Sequence, residues 1–267
     1  MKVFRILIAD DHELVRLGVR SMLTDHDDWE VCGEASDGRE AVEKTTRLKP
    51  DLVVLDEGMP GLNGLEAARQ ILSRNRRQRV LMLTTTDIEQ LMREALRAGV
   101  RGFILKSDPG ADLVAAVGAL QQGRAFFTAR VSEMVLHGFL HNKWDIAPNA
   151  AHEPRLTPRE REITQLLAEG KSTKEAAVII GLSIKTAETH RNNIMMKLKI
   201  HSTAELVLYA IRNNIVYLAA GVPLPTSSPP EVKRHDAPSW EMFAKSPLHQ
   251  DWNDSSTSRS RTKSASA

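Results

Sequence analysis

The first 123 residues alternate between short apolar runs and amphipathic segments, and this alternation restricts the possible folds more than any other feature of the chain. Short apolar runs predict strands, and apolar residues spaced three and four apart predict helices. The predicted strands are Val3–Ala9, Trp29–Ala35, Leu52–Leu55, Arg79–Leu83 and Arg101–Leu105. The predicted helices are Glu13–Asp25, Asp37–Leu48, Asn63–Ser73, Ile88–Ala98 and Gly110–Gln122. Strands that alternate with helices in this way predict a doubly wound α/β domain with a five-stranded parallel sheet.

Polar side chains follow four of these predicted strands. Asp10 and Asp11 follow the first strand, Asp56 the third, Thr84 the fourth and Lys106 the fifth. Parallel strands end at the same edge of a sheet, so these groups are expected to meet there. The alternative is a set of unrelated helix caps and surface charges, since a lone Asp at a strand end usually serves a turn.

Three clustered carboxylates repel one another, and this arrangement favours a bound cation. Oxygen ligands alone favour Mg²⁺, which also binds phosphate oxygens. An ionised Asp56 can attack phosphorus to form an acyl phosphate. Lys106 and Thr84 then suit the phosphoryl oxygens, one as a point charge and the other as a hydrogen-bond donor.

Composition narrows the class of protein. The length of 267 residues fits one large or two ordinary domains, and a net charge of +2 means that any nucleic-acid surface must be local. The single cysteine, Cys32, excludes an intrachain disulfide and fits a reducing cytoplasm. The sequence shows no secretory signal and no run of residues apolar enough to span a bilayer, so we expect a cytoplasmic protein without membrane contact.

The second half predicts a small all-α domain. Thr157 caps a first helix, a second begins at Ser172 or Thr173 and ends at Gly181, Ser183 caps a third that runs to about Lys199, and a fourth covers Ala204–Asn213. The tight connection Gly181-Leu182-Ser183 between the second and third helices is typical of a helix-turn-helix, in which the later helix enters the major groove of DNA.

The spacing separates two faces of that recognition helix. Ile184, Ala187, Ile194 and Leu198 form the buried stripe. The side chains expected at bases are Glu188, Thr189 and Asn192, and those expected at phosphates are Lys174, Lys185, Thr186, Arg191 and Lys197. His190 is expected to be half-buried, with at most one ring nitrogen reaching the DNA backbone. The alternative is a solvated amphipathic helix.

Four regions are therefore predicted. Residues 2–123 form the α/β domain, 124–153 a short helix and linker, 154–218 the helix-turn-helix domain, and 219–267 a disordered tail rich in Pro and Ser.

The segments Ile8–His12, Val54–Pro60, Leu83-Thr84 and Gly102–Lys106 together resemble the flavodoxin-like receiver domain of bacterial response regulators. The resemblance implies that a sensor histidine kinase phosphorylates Asp56. It implies that Asp11, Asp56 and the carbonyl of Gly58 hold Mg²⁺ with support from Asp10, and that Thr84 and Phe103 form the switch pair. Two positions depart from the family: Ser107 stands where proline often follows the lysine, and Phe103 where tyrosine is frequent.

Residues 156–216 resemble the LuxR class of helix-turn-helix, through Leu156–Ile163, Ala168–Ser172, Lys185–Ile194 and Lys197-Leu198. Ala187 departs from the usual valine. A receiver followed by this domain resembles the NarL/FixJ family of response regulators, which implies homodimers on paired half-sites of double-stranded DNA, often through the fourth helix.

The sequence therefore predicts a response regulator of a two-component system. Phosphorylation of Asp56 is expected to control dimerisation, DNA binding and transcription. Two rivals stay open: a DNA-binding protein that ignores phosphorylation, and an aspartyl-phosphate hydrolase. The second is disfavoured because the sequence offers no dedicated acid or base and carries a DNA-binding domain, so we expect no enzyme.

Overall fold

The structure is a computed structural model that describes residues 3–85, 89–108, 110–140 and 156–216. The strands in these ranges are β1 (Phe4–Ala9), β2 (Trp29–Ala35), β3 (Leu52–Asp56), β4 (Arg79–Thr84), β5 (Gly102–Leu105) and β6 (Phe126–Phe127). The helices of the first domain are α1 (Glu13–Thr24), α2 (Gly38–Leu48), α3 (Gly64–Arg74), α4 (Glu89–Ala98), α5 (Gly110–Gln121) and α6 (Ala129–Leu140). The helices that follow are α7 (Pro158–Ala168), α8 (Thr173–Ile179), α9 (Ile184–Leu198) and α10 (Thr203–Arg212).

The sheet is parallel throughout, with the order β2-β1-β3-β4-β5-β6. Alternate residues of each strand point to opposite faces of a sheet. Val53 and Leu55 therefore enter one core, with α2, α3 and α4, while Leu52 and Val54 enter the other, with α1 and α5. This confirms the predicted doubly wound, flavodoxin-like receiver fold.

The sheet has one strand more than predicted. Phe126 and Phe127 pair with Gly102 and Phe103 at its edge. The sequence analysis placed these two residues in the connecting segment, because a strand of two residues is too short to show a periodic pattern. The helix predicted after them is present as α6.

Local capping explains where several helices begin. The Asp37 carboxylate accepts from the backbone N–H groups of Arg39 and Glu40 at the start of α2, as expected for a cap. Thr157 and Glu160 form a reciprocal capping box at the start of α7, with Pro158 in its first turn. Caps of this kind stabilise a helix by about 1 kcal/mol each.

The helical module has its own core, formed by residues that include Ile163, Leu166, Ile194 and Leu206. Ser183 caps α9 and accepts from the N–H of Thr186, which places the predicted recognition helix directly after the turn. Of the predicted short helix and linker over 124–153, residues 141–153 lie outside the described residues, as does the whole of the predicted disordered tail over 219–267.

Candidate phosphorylation site and DNA-binding helix

The carboxyl edge of the sheet brings the predicted acidic residues together. Ligand atoms of Asp10, Asp11, His12 and Asp56 all lie within 4.8 Å of one another. Asp10 is fully buried and Asp56 is 4% exposed, whereas Asp11 is exposed. Two carboxylates are thus held away from water, while the third is accessible to solvent.

Lys106 lies between the two buried carboxylates. Its Nζ is 2.6 Å from Oδ2 of Asp10 and 2.9 Å from Oδ1 of Asp56. The backbone N–H of Lys106 donates to the carbonyl of Thr84 at 2.7 Å, which continues the pairing of β5 with β4 past the strand end. The sheet itself therefore sets the position of the ammonium group.

Burial raises the pKa of the Asp56 carboxyl above its ordinary value, the negative charge of Asp10 raises it further, and the Lys106 ammonium opposes both. Burial alone would lower the pKa of Lys106, but its bonds to Asp10 and Asp56 outweigh burial and raise it. Lys106 is therefore protonated at neutral pH and favours the ionised form of Asp56 that can attack phosphorus.

Thr84 lies beside this cluster and is fully buried at the end of β4. Its hydroxyl donates to Oε2 of Glu57, the residue directly after Asp56. Glu57 is itself only 2% exposed. The hydroxyl predicted to bind a phosphoryl group is thus bonded to a buried carboxylate, so Thr84 must leave Glu57 before it can serve that role.

Phe103, the other member of the predicted switch pair, is 2% exposed and belongs to the core on the α3 and α4 face of the sheet. Its ring already occupies a buried position, as expected for an aromatic side chain without a hydroxyl to satisfy. The Lys106–Ser107 peptide bond is trans. Whether Phe103 moves with Thr84 stays a prediction.

The segment after Asp56 is fixed by a close approach of backbone. A Cβ added to Gly64 at the start of α3 would lie 1.9 Å from the Asp56 carbonyl oxygen, so only glycine fits there. The N–H of Gly64 donates to the carbonyl of Glu57 at 3.0 Å. Gly58 lies in the turn enclosed by these contacts, and its carbonyl as a metal ligand stays a prediction.

The chemistry of the donor set fits Mg²⁺. The carboxylates of Asp10, Asp11 and Asp56 are the oxygen ligands that this ion prefers, and a site with few protein ligands leaves room for water and phosphate oxygens. His12 adds an imidazole that the sequence analysis did not assign, with Nδ1 2.7 Å from Oδ1 of Asp11. Since Mg²⁺ prefers oxygen, we assign His12 no place among its ligands.

The loop between β3 and α3 contacts the helical module. The amide of Gln165, on α7, donates to the Met59 carbonyl at 3.1 Å and accepts from the Asn63 N–H at 2.9 Å. Glu169 accepts from the N–H of Gly61 at 3.0 Å, and Asn63 Nδ2 donates to the Ile215 carbonyl at 3.2 Å. Polar groups that bond across a buried contact hold the two surfaces in one register.

Charged pairs surround these hydrogen bonds. Arg39 on α2 is 2.6 Å from Glu162 on α7, and Arg161 is 3.0 Å from Glu66 on α3. Glu66 and Glu162 are each 3% exposed, and each also pairs with an arginine on its own helix, Arg69 and Arg159 respectively, so both buried charges are compensated from two sides. No local sequence pattern predicts this contact, because its partners lie about a hundred residues apart.

The predicted recognition helix α9 presents most of the side chains predicted to contact DNA to solvent. Those of Lys185, Thr186, Glu188, Thr189, Asn192 and Lys197 are exposed, as is Lys174 on α8, while His190 and Arg191 are half-buried. Ala187 and Ile194 are fully buried, as predicted for the core-facing stripe. Ile184, predicted in that stripe, is 43% exposed because it begins the helix, one residue after the cap.

Two predicted DNA contacts have partners within the module. Lys197 Nζ lies 2.7 Å from Oε1 of Glu160, the carboxylate of the α7 capping box. Thr189 donates its hydroxyl to the Lys185 carbonyl one turn earlier, at 2.9 Å. Lys197 would have to give up a buried carboxylate to bind a phosphate, whereas Lys185 has an ammonium in solvent.

Comparison with known proteins agrees with both halves. Residues 6–118 match the family described as the response regulator receiver domain, and residues 154–210 match the bacterial regulatory proteins of the luxR family. Within the described ranges, every helix is too short or too polar to cross a bilayer.

Whole-length relatives show the same pair of domains. The transcriptional regulatory protein LiaR of Bacillus subtilis is 35% identical over 214 residues, which cover 80% of this chain and 100% of LiaR. The oxygen regulatory protein NreC of Staphylococcus carnosus is 36% identical over 215 residues, 79% of this chain and 99% of NreC.

Among solved structures, a form of the Salmonella typhimurium response regulator RcsB matches with a TM-score of 0.50 at 27% identity, over 78% of this chain and 98% of RcsB. A LuxR-family response regulator from Aurantimonas matches with a TM-score of 0.50 at 31% identity, over 52% of this chain and 99% of that protein. The chain therefore belongs to the NarL/FixJ family of response regulators, the DNA-binding proteins of two-component signal transduction that join a receiver to a LuxR-type domain.

Proposed function

We propose that a sensor histidine kinase transfers a phosphoryl group to Asp56, and that this transfer controls dimerisation and DNA binding of a cytoplasmic transcription factor. The observation that carries the proposal is the pair of hydrogen bonds between Gln165 and the loop that directly follows the acceptor. In this proposal Asp56 is an acceptor and does not act as a catalyst on an external substrate.

The residues at the sheet edge supply the transfer chemistry. An oxygen of Asp56 forms a bond to phosphorus as the bond from phosphorus to the kinase imidazole breaks. Asp10, Asp11, Asp56 and the Gly58 carbonyl would hold Mg²⁺, which neutralises charge on the phosphoryl oxygens when bound. The Lys106 ammonium, now 2.9 Å from Asp56, is placed to pair with one of those oxygens.

Phosphorylation adds negative charge beside a carboxylate that already bonds Thr84. The phosphoryl oxygens compete with Glu57 for the Thr84 hydroxyl, and Glu57 is part of the same loop as Met59. A shift of this loop lengthens both bonds to Gln165. The nitrogen that donates to Met59 and the oxygen that accepts from Asn63 belong to one rigid amide, so the side chain cannot follow both partners separately. Loss of the bonds weakens the contact that holds the helical module on the receiver.

The contact leaves the DNA-binding face open. Lys185, Glu188 and Asn192 are exposed although α7 is docked on the receiver. The receiver therefore does not control DNA binding by covering the recognition helix. We infer that docking instead fixes the orientation of the module, and that release lets two modules align on paired half-sites. Leu208, 40% exposed on α10, is available for contact between them.

Duplexes enriched from a random-sequence pool by the full chain provide the probe for a test. Treatment with phosphoramidate and Mg²⁺ should raise their affinity for the wild-type chain at least tenfold and leave Asp56→Asn unchanged. Gln165→Ala should bind more tightly than wild type before any treatment, because it lacks the docking bonds. Gln122→Ala, an exposed amide outside the contact, is the matched control and should behave as wild type.

Equal responses of wild type and Asp56→Asn would show that phosphorylation does not control DNA binding. A response that depends on Asp56 but ignores Gln165→Ala would retain the acceptor and reject the docking route.

A further inference from the structure

The amino edge of the sheet, opposite the phosphorylation site, carries a cavity of about 140 Å³ lined mainly by arginine. Five of the eight residues that line it are arginines, and none is acidic. The five are Arg76, Arg77, Arg79, Arg101 and Arg124. The whole chain is nearly balanced, with 36 basic and 34 acidic residues, so this is a local concentration of positive charge.

Three separate connections bring these side chains together. Arg76 and Arg77 lie in the turn between α3 and β4, where Arg77 N–H donates to the Asn75 side chain at 3.1 Å. Arg101 directly precedes β5, and its carbonyl accepts from the N–H of Phe126 at 2.9 Å. Arg124 follows Gly123, whose positive φ of 77° ends α5. The backbone positions are therefore set by the sheet and its turns.

Within the described part of the chain, the guanidinium groups have no acidic partner. Among the described residues, no carboxylate lies within 4.0 Å of any of the five. Arg124 instead donates to the Gln122 side chain at 2.7 Å, and the Arg79 guanidinium lies 5.7 Å from the centre of the Phe4 ring. Cations held close together without counter-charges favour a bound anion.

The chemistry and size of the cavity select the anion. The planar fork of arginine matches the oxygens of phosphate, and several arginines favour a ligand with more than one charge. Drug-sized ligands occupy cavities of roughly 300–1,000 Å³, so this one holds a compact group. We propose that the cavity is a binding site for a diphosphate group, either free or carried by a nucleotide whose base stays in solvent.

A duplex DNA backbone is the competing occupant. Two observations favour the compact anion. The arginines line a concave cavity, whereas a duplex needs an extended basic surface. The helical module docks at Met59 and Asn63 on the other edge of the receiver, so the cavity does not continue the DNA-binding face. This proposal is independent of the function proposed for Asp56.

The test is calorimetric titration of the full chain with inorganic pyrophosphate at low ionic strength, with EDTA present so that metal at the acidic site plays no part. Wild type should show saturable binding, and orthophosphate should bind at least tenfold more weakly. Arg101→Gln/Arg124→Gln should weaken pyrophosphate binding at least tenfold. The matched control Arg47→Gln/Arg212→Gln removes two exposed arginines outside the cavity and should stay within twofold of wild type.

Arg76→Gln/Arg77→Gln, in an exposed turn, gives the same test if the first variant unfolds. Titration with adenosine diphosphate in place of pyrophosphate distinguishes a diphosphate group carried by a nucleotide from the free ion. Tight binding of both ligands would show that the cavity accepts the group from either source. Absence of saturable binding by wild type, or equal losses in cavity and control variants, overturns the proposal. Loss of duplex DNA binding in Arg101→Gln/Arg124→Gln, without pyrophosphate binding by wild type, would assign the patch to DNA and also overturn it.

Discussion

The two functional regions of this chain place their polar groups in opposite environments. At the receiver edge, Asp10, Asp56 and Thr84 are almost fully buried, whereas on α9 the side chains of Lys185 and Asn192 face solvent. A phosphoryl acceptor gains from burial because electrostatic interactions are stronger away from water and the groups are held before the reaction begins. A DNA-reading helix must instead leave its donors and acceptors accessible to base edges.

Because of this difference, substitutions in the two regions should impair different properties of the protein. Changes at the receiver edge act through packing and backbone position, and so affect stability and phosphorylation together. Changes to side chains of α9 that face solvent without a partner in the module act on DNA affinity and leave stability unchanged, whereas Lys197, which bonds Glu160, should affect stability. Three comparisons of variants test this contrast.

The largest effect is expected for Gly64→Ala. Its new Cβ would lie 1.9 Å from the Asp56 carbonyl oxygen and 3.1 Å from the Glu57 Cα, both backbone atoms that cannot rotate away. We expect a loss of roughly 2–3 kcal/mol in the free energy of unfolding and little phosphorylation, measured by thermal unfolding and intact mass.

Gly118→Ala on α5 is its matched control. Nothing lies within 4 Å of the added Cβ, so this variant should gain about 0.5–1 kcal/mol as alanine replaces glycine in a helix. Similar behaviour of the two variants would mean that the start of α3 does not restrain Asp56.

A smaller effect is expected for Glu57→Gln. The bond from Thr84 then ends on a neutral amide, which weakens it by about 1 kcal/mol. Thr84 should move to the phosphoryl group more readily, and the steady-state phosphorylated fraction at limiting phosphoramidate should correspond to an equilibrium constant about fivefold higher. Phosphate-affinity gels measure this fraction.

The same substitution in a Thr84→Ala background is the control for that bond. There the effect of Glu57→Gln should largely disappear, since coupled residues show non-additive changes. If Glu57→Gln changes the phosphorylated fraction equally in the Thr84→Ala background, the charge of Glu57 acts without the bond to Thr84.

The smallest effect is expected on α9 itself, from a comparison of Lys197→Gln with Lys185→Gln. Lys197 bonds Glu160, so its loss should lower the free energy of unfolding by about 0.5–1 kcal/mol. Lys185→Gln should leave stability within about 0.5 kcal/mol of wild type, and should reduce the salt dependence of DNA binding by about one counterion. The reverse assignment of the two effects would contradict the contrast.

The stability cost of Lys197→Gln should depend on pH. Burial would raise the pKa of Glu160, but its bonds to Lys197 and Thr157 outweigh burial and lower it below the ordinary 4.5. A lowered pKa in the folded state gives stability that is present above pH 4.5 and is lost as the pH falls through the folded value. The difference between wild type and variant should therefore shrink in acid, which denaturant unfolding at several pH values would show.

Sequence patterns were sufficient where structure is local and periodic. The alternation from Val3 to Leu105 predicted the parallel sheet, and the topology of such a sheet predicted that Asp10, Asp56 and Lys106 meet. Capping residues such as Thr157 and Ser183 were likewise predictable, because a cap acts within three residues.

The rest could not be read because it depends on tertiary contacts. Glu57 would be expected at the surface, as charged residues usually are, and no sequence pattern indicates that it is buried and bonded to Thr84. The hydrogen bond between Gln165 and Asn63 joins residues that are 102 positions apart in the sequence. Lys197 was predicted to bind phosphate, and only the tertiary structure shows that it pairs with Glu160.

The side-chain amide of Gln165 restricts which receiver domains can be combined with this DNA-binding domain. It both donates to and accepts from the loop after Asp56, and among side chains of this length only glutamine offers both functions uncharged. A receiver taken from another regulator and joined to this domain would have to present a backbone carbonyl and a backbone N–H at the same separation as those of Met59 and Asn63. Mixing of receivers and DNA-binding domains during evolution or engineering is thus constrained, in this chain, by the shape of one seven-residue turn, 57–63.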